Sequence, residues 1–107
     1  MILRLWRGWT DAEHADAYDR VLDTDVAPGI VSRHLDGLES FDVFRRLPSE
    51  MSGEHEFLTA MRFRDMDAVE RFTGGDPHAS YVPPQARAVL ARFDDHSQHY
   101  ELRRRHL

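Results

Sequence analysis

The chain is 107 residues long and carries 14 Lys plus Arg against 19 Asp plus Glu, a formal charge of −5. An acidic balance of that size excludes the basic surface on which nucleic-acid binding depends. No stretch is long or apolar enough to span a membrane, and the N-terminus reads as a strand rather than a signal peptide, so a cytosolic protein is expected.

The first strand is expected over residues 2–9. Ile2, Arg4 and Trp6 share one face of it, and Leu3, Leu5, Arg7 and Trp9 the other. Thr10 followed by Glu13 reads as a capping box. A helix then presents Ala15, Tyr18, Val21 and Leu22 at three- and four-residue spacing until Pro28-Gly29 stops it. The Asp36-Gly37 turn leads into a second strand over 38–47, with Phe41, Val43 and Leu47 alternating against Asp42, Phe44 and Arg46. A polar hairpin loop is expected at 48–53 and a third strand at 54–64, with Phe57, Thr59, Met61 and Phe63 on one side. Asp65 caps a short helix with Met66, Val69 and Phe72 inward, and Gly74 closes it. Pro83-Pro84 opens another helical stretch with Ala86, Val89, Leu90 and Phe93 inward. A last strand over 95–102 precedes the Arg103-Arg104-Arg105 tail, which reads as solvated.

The order is strand, helix, strand, strand, helix, strand, with no linker or repeat, so residues 1–107 form a single α+β domain in this reading. The strands are apolar on both faces, yet the helices suffice to cover one. Leu58 and Ala60 lie opposite Phe57 and Met61, and Leu5 and Trp9 lie opposite Trp6. A second copy of the chain is the nearest source of a cover, and a homodimer through sheet faces is expected.

Cys, Lys and Asn are absent altogether. That removes disulfides, thiolate nucleophiles and Schiff-base chemistry. Gly74-Gly75 reads as a helix stop rather than a phosphate loop. Among the seven histidines, His96 and His99 are the closest pair, but three residues apart on a strand they face opposite ways, and no metal site is expected. No serine sits in a nucleophile-elbow context, and the paired carboxylates fall at element starts, where capping explains them. There remain Arg4, Trp6, His99 and Tyr100 on the strands, with Phe44 near them in pattern. They line a pocket for a planar apolar molecule between sheet and helices, or else form plain core with Arg4 paired to a carboxylate. His99 and Tyr100 face opposite ways; His99 is the one assigned to the cavity, and Tyr100 then faces the dimer. His78 and Tyr81 belong to a loop over the cavity mouth, or to an ordinary turn.

The stretches Arg4-Leu5-Trp6-Arg7-Gly8-Trp9-Thr10, Val26-Ala27-Pro28-Gly29-Ile30, Phe57-Leu58-Thr59-Ala60-Met61-Arg62-Phe63 and Val82-Pro83-Pro84-Gln85-Ala86-Arg87-Ala88-Val89-Leu90, with the closing His99-Tyr100-Glu101, resemble the dimeric α+β barrel superfamily, antibiotic-biosynthesis-monooxygenase type. The resemblance covers nearly the whole chain. It implies a ferredoxin-like βαββαβ subunit with an antiparallel sheet that packs on the sheet of a second subunit. It also implies a cofactor-independent monooxygenase acting on a small aromatic or quinol-type substrate. Combined with the residue pattern above, that activity would use His99 as base and Arg4 to stabilise the phenolate, with Trp6, Phe44, His78, Tyr81 and Tyr100 as substrate-binding residues. The alternative is a non-catalytic, small-ligand-binding or structural homodimer. Oxygenases and haem degraders of this type place an Asn in the pocket, and this chain has none; where the haem degraders have a Trp it offers Phe72. No cofactor is therefore expected, and haem with reductant under air should not yield a bile-pigment spectrum.

Overall fold

The computed structural model describes residues 1–50 and 53–107. Strand β1 spans Ile2–Asp11, β2 Leu38–Arg45 and β3 Glu54–Phe63; two short strands, β4 (Arg92–Phe93) and β5 (Gln98–Glu101), close the sheet. The order is β2-β3-β1-β4, with β5 also on β1, and every pairing is antiparallel. Between β1 and β2 runs a helical stretch made of a 3-10 turn (Ala12–His14), α1 (Ala15–Val21), a π turn (Leu22–Val26) and α2 (Ala27–Val31). Between β3 and β4 lie α3 (Met66–Thr73) and the one-turn α4 (Pro84–Arg87). This is the expected ferredoxin-like α+β fold with an antiparallel sheet.

The period-two pattern of β3 sets the core. Phe57, Met61 and Phe63 point to the helices and join Trp6, Tyr18, Leu22, Val69 and Phe72 in one cluster. Asp65 caps α3 by accepting from the Ala68 N–H at 2.9 Å, and Gly74 ends it in the left-handed conformation at φ 75°. Gly37 turns the chain into β2 at φ 87°, and a Cβ there would stand 2.6 Å from the Cβ of Ala68. Gly37→Ala should therefore combine backbone strain with a clash against α3, and cost about 2–3 kcal/mol in a denaturant titration. No helix among the described residues is long and apolar enough to cross a membrane.

Four expectations need correction. Asp11, not Thr10, caps the first helical turn: its Oδ1 accepts from the His14 N–H at 2.9 Å. Pairing of β1 with β3 runs on to Asp11 opposite Glu54, which keeps Thr10 buried inside the strand. Pro28-Gly29 does not stop the helix, which continues to Val31. The π turn resets the hydrogen-bond phase, so Pro28 falls in the first turn of α2, where its missing N–H leaves no gap. Phe93 lies in β4 rather than a helix, because Ala91 N–H and Asp94 N–H bond the carbonyls of Trp9 and Arg7 and draw the chain onto β1. The final strand is accordingly split, and its second part is confined to β5. The second strand ends at Arg45 rather than residue 47, with Pro48–Glu50 forming a 3-10 turn. Of the expected 48–53 loop, residues 51 and 52 lie outside the described residues.

Candidate functional site

The site grows from β1. Arg4 and Trp6 share the helix-facing side of that strand, and Arg4 is only 3% exposed. Its Nη1 donates to the Pro77 carbonyl at 2.5 Å and to His99 Nε2 at 2.9 Å, and its Nη2 donates to the Ala79 carbonyl at 2.7 Å. The guanidinium also stands 5.3 Å from the centre of the Phe72 ring. Arg4 forms no ion pair with a carboxylate among the described residues. Of the plain-core alternative, the pairing of Arg4 with a strand carboxylate is not found among these residues, whereas Trp6 does belong to the core cluster. Burial lowers its pKa to about 10, against the opposing pull of Asp76, and it remains a cation at neutral pH.

Trp6 is anchored by its indole N–H, which reaches the Asp94 carbonyl at 2.9 Å and Ser80 Oγ at 3.0 Å. Ser80 Oγ itself donates to the Asp94 carbonyl at 2.7 Å. Between these residues and the helices lies a cavity of about 40 Å³, lined among others by Arg4, Trp6, Tyr18, Leu22, Phe72 and Tyr81. Tyr18 and Leu22 are one helical turn apart on the buried face of the first helical stretch. Burial pushes the Tyr18 phenol up, so it is a neutral donor. Arg4 and Tyr18 together make the cavity apolar in its walls and donor-rich at its polar points. Apolar walls beside a cation are the chemistry that favours a planar ring carrying a negative oxygen, although the volume shown admits only water.

Of the residues marked from sequence, Arg4, Trp6 and Tyr81 meet at the cavity. Tyr81 packs edge-on against Phe72 with ring centres 5.8 Å apart. His99 faces the same side of the sheet, opposite Arg4 in register, but sits behind the guanidinium and does not line the cavity. His78 touches the His99 ring edge-on at 5.3 Å, is exposed, and stays off the cavity wall. Phe44 and Tyr100 lie on the opposite, helix-free face, 52% and 53% exposed, because the register pairs them with Leu58 and Leu3. They do not join the others. Tyr18 and Ser80 were not marked. Tyr18 reads as an ordinary core position at helical spacing, and Ser80 carries no signal short of the fold itself. No three His, Asp or Glu side chains among the described residues are placed to share a metal ion.

The chemistry open to His99 is narrower than its sequence suggests. Arginine only donates, so His99 Nε2 is the acceptor, its proton is on Nδ1, and its lone pair is occupied. Burial first, then the charges of Arg4 and His78, pull its pKa down to about 4. The ring is neutral at pH 7 and has no free lone pair for a substrate proton. It supports Arg4 instead of acting as the base. The unfolded chain takes up a proton on this histidine near its ordinary value of 6.5, whereas the folded chain resists until about 4. Stability should therefore be full above pH 6.5 and fall as pH drops through that window. Screening at this half-buried ring limits the loss to roughly 1 kcal/mol. His99→Gln should remove that component of the slope, seen as the difference between the two proteins in urea titrations at pH 7 and pH 4.5. Carboxylates that titrate in the same range are common to both.

No family model matches the chain, and no curated protein matches it. Solved structures do. One, from Deinococcus radiodurans and named as a "putative antibiotic biosynthesis monooxygenase", is 17% identical with a TM-score of 0.65, over 98% of this chain and 95% of that one. A Bacillus cereus protein named in the same words is 11% identical with a TM-score of 0.60, over 94% and 89%. A Pseudomonas aeruginosa protein is 22% identical with a TM-score of 0.59, over 95% and 94%. At these identities what is shared is the architecture: the chain has the same ferredoxin-like α+β fold as these structures.

Proposed function

We propose that this chain is a cofactor-independent, monooxygenase-like protein whose cavity takes a small aromatic or quinol-type molecule as its anion. The observation that carries this reading is Arg4: a guanidinium almost wholly removed from water, with no carboxylate among the described residues at ion-pair distance and only the longer-range pull of Asp76, beside an apolar cavity. A buried cation without a counter-ion is costly, and a bound oxyanion would supply the missing charge. A phenol held beside Arg4 has its pKa lowered, and the proton leaves to solvent. The phenolate is electron-rich enough to reduce oxygen by itself. Its ring carbon bonds to O2, the hydroperoxide loses water, and the net change is phenol plus O2 to quinone plus water. The protein's part is to hold the anion, exclude water and keep the ring flat against Trp6 and Phe72.

Oxygen uptake with a naphthalenediol, followed at an electrode, tests this. Acceleration over the buffer rate is expected, with a loss of about 100-fold in Arg4→Met, the scale of one preorganised donor. Uptake at the buffer rate while the diol still binds would instead favour a non-catalytic ligand-binding or structural homodimer. The small volume of the cavity, about 40 Å³, favours the structural form of that second reading.

On either reading we take the protein to be a cytosolic homodimer joined through the helix-free face of the sheet. Leu3, Leu5 and Leu58 lie there half-buried and Phe44 and Tyr100 exposed. Light scattering across a dilution series should report a mass of two chains, and a persistent single-chain mass refutes the dimer.

A further inference from the structure

A cavity of about 40 Å³ holds water but not a ring; a benzene-sized void is roughly 150 Å³. If the cavity is the ligand site proposed above, one of its walls moves. The sheet wall is fixed, since β1 is paired along its length with β3 and at its ends with β4 and β5. The wall from the first helical stretch is fixed too, with Tyr18 and Leu22 wholly buried. The remaining wall is the segment 74–83 between α3 and α4. It has no regular secondary structure beyond one isolated bridge, Ala79 with His96, and it carries the half-exposed Tyr81.

What holds this segment down is unusual in its origin. Besides the bond of Ser80 Oγ to the Asp94 carbonyl and that of Arg87 Nε to the Val82 carbonyl, its side-chain tethers come from the two residues of β1 that line the cavity. Arg4 holds the carbonyls of Pro77 and Ala79, and Trp6 holds Ser80 Oγ. Apart from these, the backbone bond from Ser97 N–H to the His78 carbonyl, at 3.0 Å, ties it to the strand side. The groups that would grip a ligand are therefore the groups that keep the site shut. Two neutral carbonyls occupy the place where a negative oxygen would bind more strongly, because charge-assisted hydrogen bonds are about twice as strong as neutral ones.

We propose that residues 74–83 form a lid latched by the ligand-binding cation, and that an anionic aromatic ligand opens it by replacing the carbonyls of Pro77 and Ala79 on Arg4. The exchange conserves the hydrogen bonds of the guanidinium: the oxyanion takes its protons, and the released carbonyls turn to water as the segment lifts. His99 keeps its bond to Nη1 throughout and holds the guanidinium in place for the exchange. A neutral ligand of the same shape has no such advantage over the carbonyls and leaves the lid shut.

The probe for the test is 4-nitrophenol, whose neutral and ionised forms absorb at different wavelengths, with 4-nitrobenzyl alcohol as the neutral control. In the full-length protein the bound 4-nitrophenol should be ionised at a pH about one unit below that of the free compound. At saturation, amide hydrogen exchange in segment 74–83 should rise about tenfold, while exchange in β3 stays unchanged and the alcohol leaves both as they were. Ser80→Ala removes two tethers, the bond from the Trp6 N–H and the bond to the Asp94 carbonyl, yet leaves the Trp6 N–H its own bond to Asp94. It should raise exchange of the segment about tenfold or more without any ligand, the effect of two ordinary hydrogen bonds. That variant also keeps the test independent of whether Arg4→Met folds. Slowed or unchanged exchange with the anion bound overturns the latch but leaves the anion site standing. No binding of 4-nitrophenolate at millimolar concentration overturns both.

Discussion

Phe57→Ala should remove about 3–5 kcal/mol of stability, enough to lower the melting temperature by about 15 °C or more. Phe57 lies in the middle of β3 with its ring wholly buried. The Tyr18 ring meets it edge-on, with centres 5.0 Å apart at 87°, and the Arg45 guanidinium covers it at 5.3 Å. Its partner across β1 is Gly8, which has no side chain to move into the space. The surroundings have little freedom to collapse, because a Cβ even at Gly8 would already stand 2.9 Å from Leu90. A hole left here therefore stays open, and the penalty falls at the upper end of the usual range for a buried aromatic. Set against a typical total of about 5–15 kcal/mol, that loss takes a large fraction of the chain's stability. Phe57→Leu, which keeps most of the volume, should lose about 1–1.5 kcal/mol. Equal and small losses for both in urea titrations would show that the ring is not the centre of this core. The effect also reaches the site, since Tyr18 is both the partner of Phe57 and a wall of the cavity.

Strand periodicity and capping chemistry made the framework readable. In β3 the alternation of Phe57, Met61 and Phe63 against Leu58, Ala60 and Arg62 fixes which face meets the helices, and Asp65 and Gly74 bracket α3 as local chemistry predicts. Local signals failed where a longer-range pairing decided. Pro28-Gly29 stops an ordinary α-helix, but a π turn ahead of it shifted the phase, and nothing in residues 22–26 announces a π turn. Thr10 and Asp11 are both good caps, and the choice between them was made by Glu54 on another strand. The same divide runs through the site. Arg4 and Trp6 were placed together by parity alone. Phe44 was grouped with them by residue type, which carries no information on facing until the register to Leu58 is known, whereas parity against His99 already set Tyr100 on the other face. That Arg4 takes the lone pair of His99, and that segment 74–83 supplies carbonyls to it, depends on contacts across more than seventy residues of sequence.

Leu5→Asp should convert a dimer of this chain into monomers, with association weakened by about 100-fold or more, or roughly 3 kcal/mol. Leu5 is on β1, toward the middle of the sheet, and its side chain lies on the face without helices. Its cross-strand neighbours are Ala60 and Gln98, and neither offers a positive charge to a new carboxylate. On the face-to-face dimer proposed above, each copy would carry one such carboxylate into a dry apolar contact, where an unpaired charge is expensive. In the separate chain the same carboxylate looks into water, so the unfolding curve of the monomer should move little. Leu58 is a poorer place for the experiment because Arg7 stands beside it and would pair with the new charge. Phe44, half-exposed on outer strand β2, supplies the contrast: Phe44→Asp should weaken association by less than Leu5→Asp, since a rim carboxylate keeps its water. Light scattering of the three proteins over the same dilution series decides the matter. A Leu5→Asp protein that keeps the mass of two chains would place the contact somewhere other than this face, because no arrangement of two stacked sheets leaves the middle of β1 wet.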